Sequence, residues 1–148
     1  MIRGIRSIIK LVAQEVQIPP QYLYGLIMAL SEDEEYAHVF IAYDNKNDDY
    51  IVGISKIKYK EAIDTWDKYE YDFNKFIGKA DKSLATLFDP KINIYICALK
   101  LNELYDVYKN WKKVYYVYNI GGDSNIEHFQ DDKFTNTCIK YSKRWFAT

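Results

Sequence analysis

Apolar residues recur at steps of three and four along much of the chain, the spacing of one face of an α-helix. Near the N-terminus Ile5, Ile8, Ile9 and Val12 keep this rhythm and predict a helix over about residues 2–16. Pro19 and Pro20 break it. Proline's fixed φ and missing N–H suit a first helical turn, so this pair reads as the opening of a second helix. That helix aligns Leu23, Leu26, Ile27 and Leu30 on one face.

The rhythm then changes. His38–Tyr43 is β-branched and aromatic, Asp44–Asp49 is polar, and Tyr50–Ile54 is apolar again. This order predicts a β-hairpin with a six-residue loop. Helical spacing returns at Tyr59–Trp66, with a second piece over Tyr69–Ile77 and a stop at Gly78. Asp89-Pro90 is a strong helix start, because the carboxylate can cap free N–H groups and proline fits the first turn. The helix that follows aligns Ile94, Ala98, Leu101, Leu104 or Tyr105, and Tyr108. A short helix over Lys112–Tyr118 is stopped by Gly121-Gly122, and a last one runs from about Lys133 to Trp145. Helices on either side of one small hairpin make the fold class α+β, mostly helical. With no repeat and no low-complexity linker, the 148 residues form a single domain.

Composition narrows the function classes. Apolar and aromatic residues make up 49% of the chain, enough for one proper core. The 20 basic and 21 acidic residues nearly cancel, so no basic face for nucleic acid is expected. No apolar run approaches the length of a membrane span. The N-terminal apolar run is broken by Lys10, Gln14 and Glu15, so it does not read as a secretory signal. The 15 tyrosines suit a sugar-binding cleft, where a ring offers an apolar face and a polar tip, but they suit an interface or ordinary packing as well. Between Ser31 and Tyr50, Glu32, Asp33, Glu34, Glu35, Asp44, Asp48 and Asp49 stand against Lys46 alone. Such a stretch would not be steered toward an anionic surface. Cys97 and Cys138 each sit in an apolar helical pattern and read as small core residues. His38 and His128 read as surface residues; no zinc-ligand spacing is present, and no metal or cofactor is expected.

Four motifs point further. Asp89, Pro90, Asn93, Ile94, Ala98, Leu101 and Leu104 follow the pattern Asp-Pro, two residues, Asn-Ile, a small pair, then leucines three apart. Tyr118-Asn-Ile-Gly121 follows at a helix end. Upstream stand Gly53-Ile-Ser-Lys-Ile57 and Ala62, and downstream Thr135 and Ile139. Together they resemble the signatures of the lytic transglycosylase (SLT) and goose-type lysozyme group, over about Ile8 to Trp145. In that group Ile120 would be alanine, Lys56 glutamine, Phe134 glutamate and Cys138 tyrosine. The resemblance implies a lysozyme-like fold and peptidoglycan glycan strands as the polymer bound. It places Tyr118, Asn119, Lys56, Ser31 and Gly53 along a substrate groove.

The resemblance also implies a catalytic acid. Cleaving a glycosidic bond takes a carboxylic acid held against apolar walls, where desolvation keeps it protonated at neutral pH. In the family this is a glutamate followed by serine, about ten residues after a proline near the end of the second helix. Counted from Pro20, that slot holds Leu30, with Ser31 behind it. Glu32 and Glu34 are the substitutes in reach. Glu34 returns to the Leu30 face if the helix continues, whereas Glu32 leaves the helical ruler if it stops near Ser31. Three readings follow. The preferred one is a binding or structural domain with weak or lost cleavage, in a phage particle or another cell-envelope machine and among its other proteins. The second is an active glycan-cleaving enzyme that uses Glu32. The third is a peptidoglycan or oligosaccharide binder. With no export signal of its own, such a chain is expected in a virion, or in the cytoplasm until it is delivered to the wall.

Overall fold

The computed structural model describes residues 3–32, 34, 36–121, 129 and 132–147. Among the described residues there are seven α-helices and a small antiparallel sheet that packs on the third of them: α1 Ile5–Val16, α2 Pro20–Ser31, β1 Ile41–Asp44, β2 Asp49–Val52, β3 Ile57–Lys58, α3 Tyr59–Lys68, α4 Glu70–Phe76, α5 Pro90–Tyr108, α6 Trp111–Ile120 and α7 Lys133–Lys143. The α+β, mostly helical class read from the pattern is what the chain adopts.

The start of α5 forms as the Asp89-Pro90 pair predicts. The Asp89 carboxylate accepts from the N–H groups of Lys91 at 2.9 Å and Ile92 at 3.2 Å, while Pro90 takes the first turn. Asn110 and Asp132 cap α6 and α7 in the same way, through Lys113 N–H and Thr135 N–H. The first helix starts at Ile5 rather than near residue 2, because Gly4 takes a left-handed conformation at its N-cap.

Two helices are more deeply enclosed than a single apolar stripe implies. In α2 every residue from Leu23 to Ser31 is buried, and in α5 every residue from Ile92 to Leu99. The cause is packing on several sides: α2 lies against both α1 and α7, and α5 against α1, α3 and α6. Gly25 permits the tightest approach of α2 and α7, since any side chain there would collide with the Cys138 carbonyl oxygen. Cys97 and Cys138 are free and buried, small core residues as expected. His38 is partly buried rather than on the surface, with Nδ1 enclosed and without a partner. His128 and Gly122 lie outside the described residues, as do Asp33 and Glu35 of the acidic run.

The hairpin differs from the sequence expectation in register. Ala37–Val39 form a 3₁₀ turn, β1 begins only at Ile41, and Asp44 pairs with Asp49. The loop therefore has four residues instead of six. Both aspartates belong to the ladder because their carboxylates have local partners. Asp44 accepts from the backbone of Lys46 and Asn47 and from the Asn47 amide, closing the turn. Asp49, almost fully buried, accepts from its neighbour Tyr50 and from Lys60 N–H in the first turn of α3. A carboxylate at that end is favoured by the helix dipole. A third strand, β3, adds to β2 through Ile51–Lys58 and Val52–Ile57 pairs. At two residues it is too short to show a period.

Candidate functional site

The turn from Gly53 to Lys56 joins β2 to β3 and forms one wall of a cleft. Gly53 has φ +79° and Lys56 φ +48°. The left-handed region costs an L-residue roughly 1–2 kcal/mol, so something must hold Lys56 there. Its N–H donates to the Gly53 carbonyl at 3.0 Å. The larger restraint is Asn93, fully buried in the first turns of α5. Its Nδ2 donates to the carbonyls of Val52 at 3.1 Å and Leu87 at 2.9 Å. Its Oδ1 accepts from the Ser55 N–H at 3.0 Å and the Ser55 hydroxyl at 2.5 Å. This uses both donors and both lone pairs of the side chain.

The turn is fastened on its other side by Tyr118 of α6, whose hydroxyl donates to the Ser55 carbonyl at 2.9 Å. Burial pushes the Tyr118 phenol well above the usual tyrosine range, and the nearby Cys97 thiol adds to this. Burial likewise pushes the Cys97 thiol up to about 12. Both groups are protonated at neutral pH, so Tyr118 here is a donor and not a base.

Between this turn and the helices lies a cavity of about 390 Å³, within the usual range of roughly 300–1,000 Å³ for small-ligand sites. Its apolar lining comes from Leu30 of α2, Phe40, Ile51, Ile57, Leu104 of α5 and Val117 of α6. Its polar lining is Lys56, Lys58, Glu61, Lys100, Tyr118 and Asn119, with Gly121 at the end of α6. Glu61 and Lys100 form an ion pair at 3.1 Å. The Lys56 ammonium lies 4.7 Å from the centre of the Phe40 ring, a cation–π contact. Lys58 reaches across to the end of α6, where its ammonium sits 3.1 Å from the point a Cβ on Gly121 would occupy.

Three of the residues expected along a groove therefore line the cavity together: Lys56, Tyr118 and Asn119. Two lie behind its wall. Gly53 is buried against Asn93, where a methyl group would overlap the Asn93 amide. Ser31 is buried with its hydroxyl on the Met28 carbonyl at 3.4 Å. Neither Glu32 nor Glu34 lines the cavity; both are exposed. The α2 helix ends at Ser31, and Glu32 turns away as its left-handed C-cap, φ +43°. Lys56 makes no ion pair with either glutamate.

Sequence reasoning passed over Lys58, Glu61 and Lys100. Lys100 and Leu104 are four apart on α5 and share a face. Lys56 and Lys58 alternate across the turn and β3. Those spacings were available as signals, but without the placement of β3 nothing joined them.

A helix-dominated domain of lysozyme type, with a small sheet forming one wall of its cleft, is the class that this fold and site define. The family model for the transglycosylase SLT domain matches residues 7–139, and the chain belongs to that family. Its function is accordingly related to peptidoglycan. Searches of curated proteins and of solved structures returned no match. Among the described residues no helix is long and apolar enough to cross a membrane.

Proposed function

We infer that this domain binds peptidoglycan glycan strands in its cleft and cleaves them weakly or not at all. The setting we propose is a phage particle or another cell-envelope machine, where further proteins of the assembly bring the domain to the wall.

The observation that carries this reading is Leu30. It lies in the lining of the cavity beside Tyr118 and Asn119, in the slot where the resemblance expects the proton-donating glutamate. An aliphatic side chain can neither protonate a glycosidic oxygen nor accept a proton. General acid–base help of that kind is worth about 10²–10⁴ in rate.

The rival reading, cleavage by Glu32, lacks geometric support, because Glu32 is exposed and does not line the cavity. Glu61 is the one carboxylate among the described lining residues. It is engaged by the Lys100 ammonium at 3.1 Å rather than held against apolar walls alone.

Co-sedimentation with purified, insoluble peptidoglycan at low salt tests the binding reading. The wild-type protein should be retained, and Asn119→Ala, which alters an exposed cleft residue, should reduce retention. Absence of wild-type retention would leave the domain a purely structural part.

A further inference from the structure

We propose that the cleft recognises a glycan through an anionic substituent, a carboxylate or a phosphate, held by Lys56 and Lys58. This rests on the glycan-binding reading above and adds the chemistry that selects among glycans.

The argument is one of charge in a confined apolar space. Among the described lining residues there are three ammonium groups, those of Lys56, Lys58 and Lys100, against the single carboxylate of Glu61. Glu61 and Lys100 neutralise each other at 3.1 Å. Lys56 and Lys58 have no carboxylate partner of this kind among the described residues. Lys56 is steadied by the face of Phe40, and Lys58 by the negative end of the α6 dipole near Gly121. Asp44, the carboxylate whose field Lys58 meets, lies on the hairpin with its oxygens engaged by Lys46 and Asn47. Among the described residues two positive charges thus remain beside apolar walls, where a lowered effective dielectric strengthens attraction for an anion.

The backbone points the same way. Lys56 is held in a left-handed conformation, φ +48°, by a turn that Asn93 and Tyr118 fasten from both sides. A lysine is not required for that geometry, and glycine or asparagine would adopt it at lower cost. What lysine adds at this position is a charge beside the cavity. The apolar lining of Leu30, Phe40 and Ile51 offers the matching surface for a sugar ring's C–H face.

Isothermal titration with three soluble probes tests the proposal. One is a neutral oligomer of N-acetylglucosamine, the second a peptide-free peptidoglycan strand with free lactyl carboxylates, and the third an N-acetylglucosamine oligomer carrying 6-phosphate groups. We expect one or both anionic probes to bind at least about tenfold more tightly than the neutral one, and which of them does so identifies carboxylate or phosphate as the group read. The preference should weaken with added salt and disappear in the double variant Lys56→Gln, Lys58→Gln, with the melting temperature checked to show that the variant is folded. Equal affinity for neutral and anionic strands, or an unchanged preference in a folded double variant, would overturn this inference and leave glycan binding intact. Failure of every probe to bind would overturn both.

Discussion

Asn93 and Ser55 are joined twice over: one carboxamide oxygen accepts both the backbone N–H and the hydroxyl of Ser55, 38 residues away in sequence. With the amide nitrogen holding the Val52 and Leu87 carbonyls, this one side chain ties α5 to the turn that carries Lys56. Asn93→Ala would leave two donors and two acceptors without their partner in a dry interior. The expected cost is about 2–4 kcal/mol, read as a lower midpoint in urea denaturation. Asn93→Asp should be no better, because it keeps the acceptors but sets a charge against two carbonyls. A loss under about 0.5 kcal/mol in the alanine variant would show that the turn does not depend on this residue.

Gly53 and Gly4 provide an internal comparison. Both have φ +79°, but a Cβ on Gly4 meets nothing within 4 Å, whereas one on Gly53 would overlap the Asn93 amide and crowd the Leu87 carbonyl. Gly4→Ala should therefore cost only the left-handed penalty, about 1 kcal/mol. Gly53→Ala should cost that plus a steric term and loosen the turn, with a total of about 3 kcal/mol or more. Equal melting temperatures for the two variants would contradict the packing described here.

Much of the architecture can be read from the chain, and the reason is local. Helix starts such as Asp89-Pro90 are written in residues that satisfy their own backbone, and the structure forms them as read. The hairpin register was not legible. Asp44 and Asp49 look like loop residues until their hydrogen bonds to Asn47 and Lys60 are known, and one of these partners is eleven residues away. The cleft divides along the same line. Lys56, Tyr118 and Asn119 belong to recognisable motifs and do meet. Glu61 and Lys100 are 39 positions apart and pair only because α3 lies on α5, a fact that no helical period encodes.

Arg6 spans the two ends of the fold. Its guanidinium stacks 4.4 Å from the Trp145 ring centre and 4.8 Å from that of Tyr24, and it donates to the Trp145 carbonyl at 2.5 Å. Arg6→Leu should release the 3₁₀ turn Arg144–Phe146 while leaving the core formed. The expected signs are faster amide exchange confined to that turn and a stability loss of about 1–2 kcal/mol. Unchanged exchange there would show that the ring packing alone holds the turn.

Alkaline pH should unfold the domain cooperatively. Burial holds the Cys97 thiol and the Tyr95 phenol up at about 12, and the Tyr115 and Tyr118 phenols well above the ordinary 10.0. The unfolded chain releases these protons near ordinary values, so the folded state binds them more tightly. Their stabilising contribution is complete below the unfolded values of 9.0 for cysteine and 10.0 for tyrosine, and is lost as pH rises toward about 12. Melting temperature should fall across that window, and a late rise in tyrosinate absorbance should coincide with loss of helical circular dichroism. Titration of every tyrosine near its ordinary value in the folded protein would contradict the buried environments assigned to these groups.

The central claim, a lysozyme-type cleft without its proton donor, is tested most directly by incubating purified peptidoglycan with the wild-type protein and analysing the soluble fraction by mass spectrometry. The account predicts muropeptides at, or little above, the level of a protein-free control, with no change in Glu61→Gln or Glu32→Gln. Release of anhydro-muropeptides or of reducing-end muropeptides, lost in Glu61→Gln or Glu32→Gln, would contradict it and identify the acid that does the work.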